Sequence, residues 1–233
     1  MKLQLIFFIC ALLLISCTQA PSPEITSENS PALQNQATAQ PSSSPPSQLP
    51  SEISSLISKG KSVTSLEYRY DSGNSQVIQV LFKDTKIRKI SPLSTKTYKE
   101  EDYYTEIYLD RSEQKAYAAC TYSADCGARY NKARVIPFEQ ENIQTPIDVL
   151  NAIGTDARKI STAVVKQRDA IIITYANNEG QREELALDTF YGLPLEQKIY
   201  QGDAVQTTKT FVLVRVNSLK DSDVQMSSTI SVE

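Results

Sequence analysis

The chain of 233 residues contains no histidine and no tryptophan. The missing imidazole excludes His-based catalytic triads and His-ligated metal centres, and it removes the commonest general base. Glycine is scarce, at 7 residues, and none of them sits in a Gly-rich phosphate loop. Lys and Arg form no cluster dense enough for a basic face, and the net charge is -3, so nucleic acid is not an expected partner. Long apolar runs are also absent. The one candidate, Leu3 to Ile15, is too short for a bilayer, which takes about 20 residues. The remaining composition, 40% hydrophobic and 22% charged with 12 tyrosines, is that of a globular protein.

The short apolar run has a single cation before it, Lys2, and a small residue, Ser16, at its end. This is the layout of an export signal. Its last residues, Leu14-Ile15-Ser16-Cys17, resemble the lipobox of prokaryotic lipoproteins. The resemblance implies that residues 1–16 are removed as a lipoprotein signal peptide. It also implies that Cys17 becomes the first mature residue and carries the lipid. The protein is then expected in the cell envelope, anchored on the extracytoplasmic face of a membrane. Cys10 leaves with the signal, so Cys120 and Cys126 remain as a close pair. Outside the cytoplasm such a pair reads as a disulfide. Thiol redox centres favour Cys-x-x-Cys spacing, and a zinc site would need two further ligands that do not stand nearby.

Residues 17–50 are rich in Pro, Ser, Thr, Gln and Ala and carry no Lys or Arg. Such a segment buries too little apolar surface to offset its ordering entropy and reads as a disordered tether. A domain is expected over residues 51–224 and a disordered tail over 225–233. Within the domain, Ser51 to Lys59 has helical spacing, with Gly60 as a stop. The period then changes to two, and strands are expected from Val63 through Phe138, the third of them ended by Pro92. Thr145-Pro146-Ile147-Asp148 reads as a helix start, with a capping hydroxyl, Pro in the first turn and an acid at the positive dipole end. Strands resume from Ile160. The longest, Val205 to Asn217, is apolar on both faces and is expected to be buried on both. The fold class is therefore α+β, mainly antiparallel β.

The hairpin Leu187-Asp188-Thr189-Phe190-Tyr191-Gly192-Leu193-Pro194-Leu195, taken with this element order, resembles the LolA-like superfamily. That group includes LolA, LolB, RseB and mycobacterial lipid-binding lipoproteins. The resemblance implies a curved, half-open antiparallel barrel with short helices on its concave side. It further implies a function in holding a lipid or an acylated protein in an apolar cavity. Candidate liners are Leu66, Tyr68 and Tyr70, then Ile78, Val80 and Phe82, then Phe211 and Leu213, the alternate positions of three strands. The alternative is an envelope sensor or assembly protein that binds another protein through a sheet edge or the Cys120–Cys126 loop, without a lipid cavity. Catalysis is not expected. The carboxylate groups Glu100-Glu101-Asp102 and Glu183-Glu184 place neighbours on opposite strand faces and read as solvated edges. No cofactor or metal is expected, and the chain is expected to be a monomer.

The anchor assignment has a direct check. Cys17→Ala is expected to release the protein from the membrane fraction or to block its processing. A variant cleaved normally and still sedimenting with membranes would refute the assignment.

Overall fold

The computed structural model describes residues 48–71, 77–96 and 103–233. The export segment, Cys17, most of the tether, residues 72–76 and Glu100-Glu101-Asp102 lie outside the described residues. None of the described helices is long and apolar enough to cross a membrane.

Helix α1 (Ser51–Lys61) precedes two meanders of strands. The first comprises β1 (Ser65–Asp71), β2 (Val77–Lys83), β3 (Lys86–Lys96), β4 (Tyr103–Asp110), β5 (Lys115–Cys120) and β6 (Lys132–Ile136), each antiparallel to the next. Short helices α2 (Ser123–Cys126), α3 (Phe138–Glu141) and α4 (Pro146–Asn151) occupy the middle of the chain. The second meander comprises β7 (Arg158–Val165), β8 (Arg168–Ala176), β9 (Arg182–Asp188), β10 (Pro194–Gln201) and β11 (Ala204–Val216). β11 returns to the centre and pairs with β1, so both meanders form a single 12-stranded sheet. The sheet is mostly antiparallel and does not close, so the half-open architecture expected from the sequence is the one observed.

The core lies on one face. Ile53 and Ile57 of α1 and Val149 and Leu150 of α4 form a single buried cluster with alternate residues of the strands, including Leu66, Tyr68, Val80, Ile87, Ile171, Leu185 and Phe211. The start of α4 is built as its residues require. Thr145 and Asp148 make a capping box, and Pro146 fills the first turn. Arg111, at the β4–β5 turn, reaches the same place. Its guanidinium donates to Asp148 Oδ2 at 2.8 Å and to the Ile143 carbonyl at 2.6 Å.

Helix α1 sits where it does because two glycines let it. Gly60 does not stop the helix, contrary to the sequence expectation, but lies in its last turn. A Cβ on Gly60 would stand 2.4 Å from the carbonyl oxygen of Gly192. One on Gly192 would stand 2.0 Å from the Leu56 carbonyl oxygen. Gly192 also has φ +71°, in the left-handed region that favours glycine. The Asp188–Leu193 turn that presents it is held by its own acid: Asp188 Oδ1 accepts from the backbone N–H groups of Phe190 and Tyr191, and Oδ2 from Arg168.

Three further expectations are corrected. Pro92 does not end β3, which continues to Lys96 through an irregularity between Ile90 and Thr95. β11 is not buried on both faces: Val212 and Val214 are 37% and 47% exposed. The segment after Asn217 crosses the first meander instead of this one, so nothing among the described residues covers them. Residues 225–233 are not a disordered tail. After α5 (Asp221–Val224) they cross the convex face and end in β12 (Ser231–Val232), parallel to β6. Leu219 and Val224 pack on Leu81, and Ile230 packs on Tyr108, Ala119 and Ala133. Ile230, buried on the sheet with Met226 beside it, supplies the apolar contact that orders the tail.

Two measurements test this scheme. Gly192→Ala adds a methyl group into backbone and forces an unfavourable φ, so it is expected to cost at least about 2 kcal/mol in denaturant unfolding. Asp148 supplies the second. Burial alone would raise its carboxyl, but the bonds from Arg111 and Thr145 outweigh burial and hold it below its ordinary value. A group depressed in the folded state stabilises above its unfolded pKa and loses that contribution as pH falls through the folded value. Asp148→Asn is therefore expected to reduce stability at pH 7 and to flatten its decline below about pH 4.

Candidate ligand cavity

The eight expected liners do share one face. The register sets Tyr68 opposite Val80, Tyr70 opposite Ile78, and Leu66 opposite Phe82 on β2; on the other side Tyr70 faces Phe211 and Tyr68 faces Leu213. The Tyr70 and Tyr68 rings lie 5.7 and 5.9 Å from the Phe211 ring. Leu66, Tyr68, Val80, Phe82 and Phe211 are buried in the core cluster, and Tyr70, Ile78 and Leu213 are half-buried against it. These residues pack beneath the helices, and none lines a cavity described below. One polar atom is left over. The Tyr68 hydroxyl is buried without a partner among the described residues, and burial raises its pKa, which keeps it neutral.

The same face turns polar beyond β11. Glu183, on β9, is buried, not a solvated edge as the sequence suggested. Its carboxylate accepts from Tyr175 Oη at 2.6 Å, Gln197 Nε2 at 2.7 Å and Asn177 Nδ2 at 2.9 Å. Glu184 points to the other face and accepts from Tyr200 Oη. The alternation expected of neighbouring strand residues thus holds and separates the two acids. Burial and the Glu183 charge raise the Tyr175 phenol. Lys209, cross-strand to Gln197, donates to Gln144 Oε1 at 3.0 Å. Burial lowers its pKa, opposed by Glu183. Three neutral donors satisfy Glu183, so the cluster is a structural hydrogen-bond network.

A cavity of about 550 Å³ opens at the far end of this face. Ala157, Thr174 and Tyr175 form its buried floor, while Pro50, Arg158 and Arg182 stand at its exposed rim. Local chemistry shapes it. Asp156 Oδ2 accepts from the Ala176 N–H at 2.8 Å and fixes the approach to β7. The Asn177–Gln181 turn is closed by Asn177 Oδ1, which accepts from the N–H groups of Glu179 and Gln181. Gly180 takes φ +76° there. Sequence reading missed the site, because its walls come from turns and strand ends whose side chains are ordinary. Two other cavities of similar size are lined mainly by polar side chains: about 590 Å³ beneath the C-terminal segment and about 540 Å³ beside Arg111.

The disulfide expected between Cys120 and Cys126 is present, with Cα atoms 5.7 Å apart. It ties the end of β5 to α2. Among the described residues no group of acids and cysteines is arranged to hold a metal ion.

No family model matches the sequence, and no curated protein does. Three solved structures align over about three quarters of this chain. LprF from Mycobacterium bovis aligns with 78% of this chain and 99% of its own, at 8% identity and a TM-score of 0.46. The Pseudomonas aeruginosa MucA/MucB complex aligns over 76% of this chain and 60% of that one, at 13% identity and a TM-score of 0.42. A LolA superfamily protein of Nitrosomonas europaea, NE2245, aligns over 74% and 97%, at 9% identity and a TM-score of 0.32.

Proposed function

We propose that the chain is a lipoprotein, anchored through Cys17 outside the cytoplasm, that holds an acyl chain of a lipid or acylated protein without catalysing a reaction. The observation that carries this reading is the cavity of about 550 Å³ with Ala157 and Tyr175 in its floor. Its volume lies in the range of small-molecule sites, roughly 300–1,000 Å³. Apolar floor residues suit methylenes, each contributing about 0.8 kcal/mol when buried. Arg158 and Arg182 at the rim suit an anionic headgroup. The site differs from the eight residues first expected, which α1 and α4 already cover.

Ala176 supplies the test, because it lines the cavity yet is exposed, so a larger side chain can be added without disturbing the core. Native mass spectrometry of gently extracted protein is expected to show a bound lipid in the wild type and its loss in Ala176→Trp at unchanged Tm. Wild-type protein that carries no lipid, or a variant that retains it in full, refutes the reading.

A further inference from the structure

The sheet has two ends, and they differ. At one end β6 is covered by β12. At the other, β7 has β8 on one side and no strand on the other among the described residues. β7 is 8 residues long, and all but the last are exposed. Every second residue of an edge strand turns its N–H and C=O away from the sheet, so this edge presents unpaired donors and acceptors over about 25 Å. Ile160 and Val164 stand 48% and 70% exposed along it. The strand is also firmly placed. Lys159 ion-pairs with Glu52 of α1 at 2.8 Å, and a two-residue turn at Lys166 and Gln167, both with positive φ, locks it to β8. A bulge between Lys159 and Ser161 leaves Ser161–Val165 as the regular stretch.

Charge selects the occupant. From Ala157 to Arg168 the chain carries Arg158, Lys159, Lys166 and Arg168 and no acid. Arg158 and Lys166, one at each end of the edge, have no ion pair among the described residues. A second copy added antiparallel would set Arg158 of one β7 beside Lys166 of the other, and opposed like charges destabilise a strand pair. An acidic strand meets the opposite condition.

We infer that the β7 edge docks an extended, acidic segment of a partner protein as a thirteenth strand. Backbone hydrogen bonds supply affinity, and the flanking cations select the charge and set the register. This does not depend on the lipid cavity, and the test uses residues that do not line it.

The probe is a fluorescein-labelled octapeptide alternating Val and Glu, titrated into the full chain in mild detergent and read by anisotropy. Hydrogen exchange reads the same sample. Binding is expected, with the β7 amides slowed and those of β6 and β12 unchanged. Lys166→Glu is expected to weaken binding by about fivefold, the upper end for one cross-strand charge pair. Of Thr162 and Ala163, one turns its N–H to β8 and the other outward, so one of Thr162→Pro and Ala163→Pro should abolish binding at unchanged Tm. The inference is overturned if the peptide fails to bind at millimolar concentration, or if a Val/Lys peptide binds equally well. Slowed amides elsewhere also overturn it, and so does self-association of the chain through β7, which would make the occupant a second copy.

Discussion

The contact between Gly60 and Gly192 is the constraint on which the concave face depends. It is backbone against backbone, with no room for a Cβ on either side. That closeness brings Ile53 and Ile57 down onto the strands and allows Leu150 to reach the same cluster. The Asp188 turn therefore has a purpose beyond reversing the chain. Its carboxylate satisfies two turn N–H groups and holds Arg168, which fixes the loop that meets the helix. A turn of different geometry would lift α1 and open the core that it now fills.

Filling that core decides where a ligand can go. The apolar stripe from Leu66 to Phe211 has α1 and α4 in the same buried cluster. The second meander contributes Glu183, Gln197 and Lys209 to the same face: Gln197 and Asn177 donate to Glu183, Lys209 donates to Gln144, and Gln197 Oε1 has no partner among the described residues. Beyond the polar half, space remains at the margin, beside Ala157 and Tyr175. The convex side is treated differently. There the C-terminal segment packs over the first meander, above the pair of half-buried Arg88 and buried Glu106. Burial would raise the Glu106 carboxyl, yet Arg88, Tyr108 and Thr121 bond it strongly enough to hold it below its ordinary value.

Much of this was legible in the sequence. Period-two runs separated the two faces of β1 and β2 without saying which turns inward, and Thr145-Pro146 marked α4 because capping chemistry is local. The Cys120–Cys126 pairing followed from compartment and parity. The architecture, a curved half-open sheet, was legible through the Asp188–Leu193 turn. Non-local facts were not legible. Gly60 reads as a helix stop in isolation, and only Gly192, more than a hundred residues later, explains why it lies within the helix. Val212 and Val214 look buried because valine usually is; their exposure depends on where the C-terminal segment runs. Ile230 carries no signal of its own, since its partners are on β4, β5 and β6. The cavity is invisible for the same reason: it is a gap between elements, and no residue type marks a gap.

Strand order has a consequence for how the chain acquires its shape. β1 and β11 are neighbours in the sheet, with Leu66 paired to Val216, and this seam is the sheet's only link between the two meanders. Each meander is local and closes through short turns, so each can form early. The seam carries a large loop-closure cost and cannot zip until the last long strand is available. A chain that emerges from its N-terminus would thus hold its first meander unjoined until β11 follows. The same late strand that completes the sheet also delivers the C-terminal segment to the convex face of the first meander, so the seam and that cover form together.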